Sequence, residues 1–150
     1  LFRAYQNDWV FEPVAAKPTQ ASAIQIGNPV SVRKAIRTLQ HHRGIVEQAS
    51  EAELAEAAAR ADRTGLYNCP HTGVALAVLI KLRERGLIDA SARVVVVSTA
   101  SGLKFTDFKL GYHESRLPDI TPHYANSPVD LPNDYDAVRR AIDEHAVAVS

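Results

Sequence analysis

The sequence has no methionine, one cysteine and one tryptophan in 150 residues, and aromatic residues make up only 7% of it. A single cysteine excludes an internal disulfide framework. Net charge is absent too, with 17 basic residues against 17 acidic ones. That balance removes the electrostatic case for nucleic acid or for an anionic membrane surface as partner. No apolar stretch approaches the length of a membrane span. There is no internal repeat, no low-complexity segment, no Walker-type loop and no Gly-x-Gly-x-x-Gly. The six histidines are scattered apart from His41 and His42, and no Cys/His spacing resembles a zinc site. Translation begins with methionine, so a chain that starts at Leu1 and lacks methionine is expected to be a processed product or a piece of a longer chain. Its first residues match neither a secretory leader nor a transit peptide, so no targeting signal is expected in it.

What remains is an ordinary globular composition, 46% hydrophobic and 23% charged, enough for a real core. Residues 1–11 carry apolar side chains near helical spacing, and 13–20, with two prolines, reads as a connector. Ala23-Ile24-Gln25-Ile26 alternates and reads as strand-like or extended. Asn28 and Pro29 suit the N-cap and first position of a helix running to about Gln40, with Val32, Ala35, Ile36 and Leu39 on one face. Ile45-Val46 is a short strand candidate. Ser50 with Glu53 forms a capping-box pattern before an Ala-rich helix to about Arg63, closed by Gly65. Leu66-Tyr67-Asn68-Cys69 is a short extended link. Pro70 opens a further helix that ends at Gly86.

The clearest strand is Val94-Val95-Val96-Val97, whose unbroken valines predict burial on both faces in the middle of a parallel sheet. A short helix is expected over 105–113. Residues 115–133, with four prolines, read as a surface tail, and a last helix capped by Asn133 covers about 134–146. Strands alternating with helices indicate an α/β domain with a mainly parallel sheet and flanking helices.

In open α/β sheets, ligands sit at the carboxyl ends of strands. That rule selects the segment after the valines. Ser98, Thr99 and Ser101 offer hydroxyls there, and Gly102 allows close approach of backbone. A strand-to-loop turn that satisfies its own backbone is the plainer reading of the same residues. Lys104 has the chemistry of a Schiff-base or phosphate lysine, but a solvent-facing lysine after a loop is the ordinary case. Cys69-Pro70-His71 sets a thiol and an imidazole at a helix start, where a thiol pKa falls. A lone cysteine is more often a small buried hydrophobe. His41-His42 suits a helix C-terminus, and Arg33, Lys34, Arg37 and Arg43 read as a solvated face.

Three segments carry a more specific signal. They are Ala21-Ser22-Ala23-Ile24-Gln25-Ile26-Gly27-Asn28-Pro29-Val30-Ser31, Thr64-Gly65-Leu66-Tyr67-Asn68-Cys69-Pro70-His71-Thr72-Gly73-Val74-Ala75-Leu76, and Val95-Val96-Val97-Ser98-Thr99-Ala100-Ser101-Gly102-Leu103-Lys104-Phe105. In order and spacing they resemble the C-terminal part of threonine synthase, in the form typical of plants and some bacteria. Gly44-Ile45-Val46-Glu47 and Tyr112-His113 agree with it, and the resemblance covers nearly the whole chain.

The resemblance implies a pyridoxal-phosphate enzyme of the tryptophan-synthase-β-like fold, fold type II. Residues 1–114 would form the C-terminal part of its catalytic fold, and 115–150 a Pro-rich tail and terminal helix packing on it. The implied reaction converts O-phosphohomoserine and water into threonine and phosphate. The family's Schiff-base lysine and the loop that cradles the cofactor phosphate lie in its N-terminal half. No catalytic residue is therefore assigned in this chain, and Lys104 is not that lysine. One cofactor contact carries over: Thr99 matches the hydroxyl residue that hydrogen-bonds the pyridine nitrogen, with Ser98 as its close rival. A homodimer is implied, plastidic in a plant and cytoplasmic in a bacterium. The alternatives are a related fold-type-II enzyme acting on another amino acid, and a non-catalytic α/β binding module.

Overall fold

The computed structural model describes residues 1–147. Its regular elements are helical: α1 (Phe2–Gln6), a 3-10 turn (Ser22–Ile24), α2 (Val32–His41), α3 (Glu51–Asp62), α4 (Pro70–Glu84), a second 3-10 turn (Gly102–Lys104), α5 (Thr106–His113) and α6 (Tyr135–Val147). The centre of the molecule is the α3–α4 pair. α3 starts where its capping box dictates: the Glu53 N–H donates to Ser50 Oγ (3.2 Å), and the Ser50 N–H donates to Glu53 Oε2 (2.7 Å). α4 starts at Pro70, whose missing N–H costs nothing in a first helical turn. Gly65 (φ +84°) and Gly86 (φ +69°) follow the two helices in the left-handed region that glycine tolerates.

Small side chains let the two helices meet closely. Leu54, Ala55, Ala57, Ala58 and Ala59 of α3 are buried, as are Thr72, Gly73 and Ala77 of α4. A Cβ placed on Gly73 would lie 2.5 Å from the Leu54 carbonyl oxygen. Lys81 adds a rung between the helices, donating to Glu53 Oε2 at 2.9 Å. Around this pair, Phe108 and Tyr112 of α5 and Ala21 complete the core. From the Pro-rich segment, Leu117, Ile120 and Tyr124 pack against it. The Tyr112 hydroxyl donates to Glu56 Oε1 (2.7 Å) and accepts the Tyr124 N–H (3.2 Å).

Several sequence expectations are corrected. α1 ends at Gln6 instead of continuing to residue 11, because Asp8 and Trp9 take positive φ and the Trp9 N–H returns to the Ala4 carbonyl (2.6 Å). The alternating segment at 23–26 is not a strand. The Ile24 N–H donates to Ala21 O and the Gln25 N–H to Ser22 O, which closes a 3-10 turn. α2 begins at Val32, not after Asn28, and the cap of α6 is Asp134, whose Oδ1 accepts the Ala137 N–H, not Asn133. Ile45-Val46 forms no strand. The valine run stands apart from these corrections. Val94, Val95 and Val97 are 42%, 89% and 72% exposed, and no β-ladder occurs among the described residues. A parallel strand is buried by neighbours on both edges and layers on both faces. Among the described residues no strand pairs with the run, and only Val96 of the four is half-buried.

Gly73→Ala tests the central contact. The added methyl meets backbone rather than a movable side chain, so the helices must separate. A loss of about 1–3 kcal/mol is expected in denaturant unfolding, and unchanged stability would show that the contact is looser than described.

Candidate functional site

The three sequence segments singled out above converge at the N-terminus of α4. Local geometry brings the second and third together. Asn68 and Ser101 form an isolated antiparallel bridge. The Cys69 N–H donates to Ala100 O (3.2 Å), and the Gly102 N–H donates to Tyr67 O (3.0 Å). The first segment joins through His71, whose Nε2 accepts the Ala23 N–H at 2.8 Å. His71 also stacks edge-on against Phe105, with ring centroids 5.2 Å apart.

Gly102 is required by this convergence. A Cβ there would come within 2.9 Å of the Asn68 carbonyl oxygen and of Lys109 Cε, and within 2.8 Å of the Tyr67 ring. Asn68 is fully buried. Its amide donates to Leu66 O (3.0 Å) and Ala58 O (3.4 Å), while its Oδ1 has no partner among the described residues.

At the centre lies a hydroxyl–thiol cluster. Cys69 Sγ is 3.3 Å from Thr72 Oγ1 and 3.5 Å from Thr99 Oγ1. The Thr99 N–H donates to Thr72 Oγ1 at 3.3 Å. Cys69 and Thr72 are buried, whereas Thr99 and Ser98 face outward. Burial alone would push the Cys69 thiol up. The hydrogen bonds of Thr72, Thr99, the Thr72 backbone and His71 outweigh it and bring the thiol down to about 6.

The remaining sequence candidates lie apart from this cluster. Lys104 is exposed, as a lysine after a loop ordinarily is. His41 and His42 stack edge-on with each other at the exposed end of α2. No group of three or more His, Cys, Asp or Glu side chains is placed to hold a metal among the described residues. No described helix is long and apolar enough to cross a membrane.

The family model for pyridoxal-phosphate dependent enzymes matches residues 3–100. The chain belongs to that family. It is 49% identical over 135 residues to the chloroplastic threonine synthase 2 of Arabidopsis thaliana, which is 90% of this chain and 26% of the relative. It is 30% identical over 144 residues to the threonine synthase of Methanocaldococcus jannaschii, 95% of this chain and 32% of the relative. A Bacillus threonine synthase is 31% identical over 104 residues, 69% of this chain and 30% of the relative. The chain thus spans between a quarter and a third of the length of these relatives.

For a member of the pyridoxal-phosphate family, the donor set fits one end of the cofactor. Thr99 presents a neutral hydroxyl from a backbone tied down on both sides, which suits a ring nitrogen better than it suits a phosphate. A phosphate calls for backbone N–H groups at a helix N-terminus or for cations. At the start of α4 the Cys69 N–H is committed to Ala100 and Pro70 has no N–H.

Sequence reasoning missed two members of the site. Thr72 carried no signal, since a threonine inside an amphipathic pattern is silent. Lys109 is 2% exposed and reaches both oxygens of Asp62, at 2.7 and 2.6 Å, from 47 positions away. Only a buried-position reading of α5 could have flagged it.

The thiol offers a direct check. A depressed thiol pKa means that the ionised form adds stability that is fully present above its ordinary value of 9.0. That stability fades as pH falls through about 6. The thiolate absorbance lost in Cys69→Ser should titrate with a midpoint near 6. A midpoint at the ordinary thiol value would contradict the hydrogen-bonded cluster.

Proposed function

We propose that this chain is the C-terminal part of a threonine synthase and forms one wall of its cofactor site. On this reading it works within a protein that converts O-phosphohomoserine and water to threonine and phosphate. The observation that carries the reading is the convergence of three separated segments on one hydroxyl–thiol cluster at the start of α4. The identity of 49% to a plant threonine synthase over 90% of the chain supports the same reading. Residues 1–114 belong to the catalytic fold, and the segment 115–150, whose last three residues lie outside the described ones, is its Pro-rich tail and terminal helix. The valines 94–97, three of them exposed here, are then an interior strand of a mainly parallel sheet, whose neighbours come from the rest of that fold. The holoenzyme is a homodimer, plastidic in a plant source and cytoplasmic in a bacterial one.

Pyridoxal phosphate, when bound, acts as an electron sink for carbanions at the substrate carbons. Thr99 is the residue that meets its ring nitrogen. A hydroxyl carries one proton and two lone pairs and no charge, so it offers a hydrogen bond without imposing protonation on its partner. A carboxylate at the same place would hold a proton on the ring. Thr99 therefore moderates electron withdrawal instead of maximising it. A hydroxyl has a single proton, so with the ligand bound the Cys69 thiol would be the donor of its contact and the Thr99 proton would go to the ring nitrogen. His71 and Phe105 brace the loops on either side of α4.

Two measurements on the full-length protein test this. Phosphate should be released from O-phosphohomoserine with stoichiometric threonine; its absence, with a bound cofactor, would favour another amino-acid substrate. Thr99→Val should shift the absorbance of the bound cofactor and lower turnover roughly ten- to hundredfold, the effect of losing one buried polar contact. Wild-type spectrum and rate in that variant would remove Thr99 from the site.

A further inference from the structure

Thr72 stands out once Thr99 is given a role, and the inference drawn from it rests on that proposed reading. Its side chain is 1% exposed in the first turn of α4. A threonine at such a position ordinarily bonds within its own helix or faces water. Thr72 meets its own N-cap, Cys69, and in addition reaches outside the helix. Its Oγ1 accepts the N–H of Thr99, 27 positions away, and also lies 3.3 Å from Cys69 Sγ. Because one lone pair already takes the Thr99 N–H, the Thr72 proton is free to point at the sulfur. The same sulfur is 3.5 Å from Thr99 Oγ1. Thr72 thus grips Thr99 twice, once through its backbone and once through the thiol. Its χ1 is stiff because it is β-branched, and burial holds it in place.

We propose that Thr72 is a positioning residue for Thr99, fixing the direction in which the Thr99 hydroxyl is presented to the cofactor. Packing alone does not account for it. A valine fills the same volume, and a buried hydroxyl is retained at a cost unless its partners need it. Here those partners are the Thr99 N–H and the Cys69 thiol. The Cys69 N–H bond to Ala100 and the bridge from Asn68 to Ser101 hold the flanking residues. Within residues 98–102, Thr99 is the one whose N–H is taken by a side chain.

The test uses the full-length holoenzyme in four forms: wild type, Thr72→Val, Thr72→Ser and Thr99→Val. Thr72→Val should weaken cofactor affinity roughly tenfold and move the cofactor absorbance in the same direction as Thr99→Val, with Thr72→Ser restoring both. A residue that only fills space would lower the melting temperature and leave the absorbance alone. If Thr99→Val moves the absorbance and Thr72→Val does not, the role of Thr72 is overturned and that of Thr99 stands. If wild type binds no pyridoxal phosphate, the underlying reading fails and this proposal falls with it. Should Thr72→Val not fold, amide exchange in the wild-type holoenzyme decides. The Thr99 amide should exchange slowly, and exchange at the rate of an unprotected amide would overturn the proposal.

Discussion

Everything around the site is referred to the close approach of α3 and α4. Gly73 has no side chain, so α4 lies against the Leu54 carbonyl, and the alanines of α3 keep the rest of the seam narrow. This contact sets where α4 begins in space. The four residues at that beginning, Cys69 to Thr72, are the ones to which the other segments attach. Ala23 docks on His71, Ala100 on Cys69 and Thr99 on Thr72. A helix N-terminus suits this task because its first N–H groups and side chains are not used up by the helix itself.

α5 is held to the same frame by polar contacts, and they act differently from the apolar seam. Lys109 is buried with its ammonium between both oxygens of Asp62 and 4.8 Å from the Tyr67 ring centroid. Burial pushes its pKa down against the pull of Asp62. A buried ion pair is weak evidence of stability, because desolvation opposes the attraction. The pair is better understood as a locator than as a source of stability. It places Lys109 Cε under Gly102, where any larger residue would collide, and so fixes the floor beneath the loop that carries Thr99. Tyr112 does the same further along α5, tying Glu56 of α3 to the backbone of Tyr124.

Which parts of this were legible in the sequence follows from the range of the interactions. The starts of α3 and α4 depend on residues three positions apart or fewer, Ser50 with Glu53 and Cys69 with Pro70, and the sequence pattern located both. Apolar spacing also found the inward face of α2, where Val32 is buried and Ala35, Ile36 and Leu39 are half-buried. Its start was misplaced because Asn28-Pro29 is an equally good local signal that the chain uses for a turn, with the Val32 N–H returning to Pro29 O. Alternation at 23–26 failed in the same way: Ile24 and Ile26 are exposed, so their spacing reports no buried face in this structure. Thr72 and Lys109 were illegible for the opposite reason. Their partners lie 27 and 47 positions away, and no local window contains both ends.

The valine run joins these two lessons. Its composition demands burial, yet Val95 and Val97 lie open, while the residues just beyond it, Thr99 to Gly102, are bonded to Thr72 of α4 and to the link Tyr67–Cys69 before it. The segment is thus anchored at its carboxyl end and largely bare along its body. On the proposed reading that arrangement is useful. The hydroxyl that meets the cofactor is oriented by contacts wholly within this chain, through Thr72 and Cys69, and needs nothing from the sheet for its direction. The sheet then has one task left, which is to cover the valines and exclude water behind the site. Separating orientation from burial in this way lets the strand contribute apolar area, at about 25 cal/mol per Å², without disturbing the one polar group at its tip.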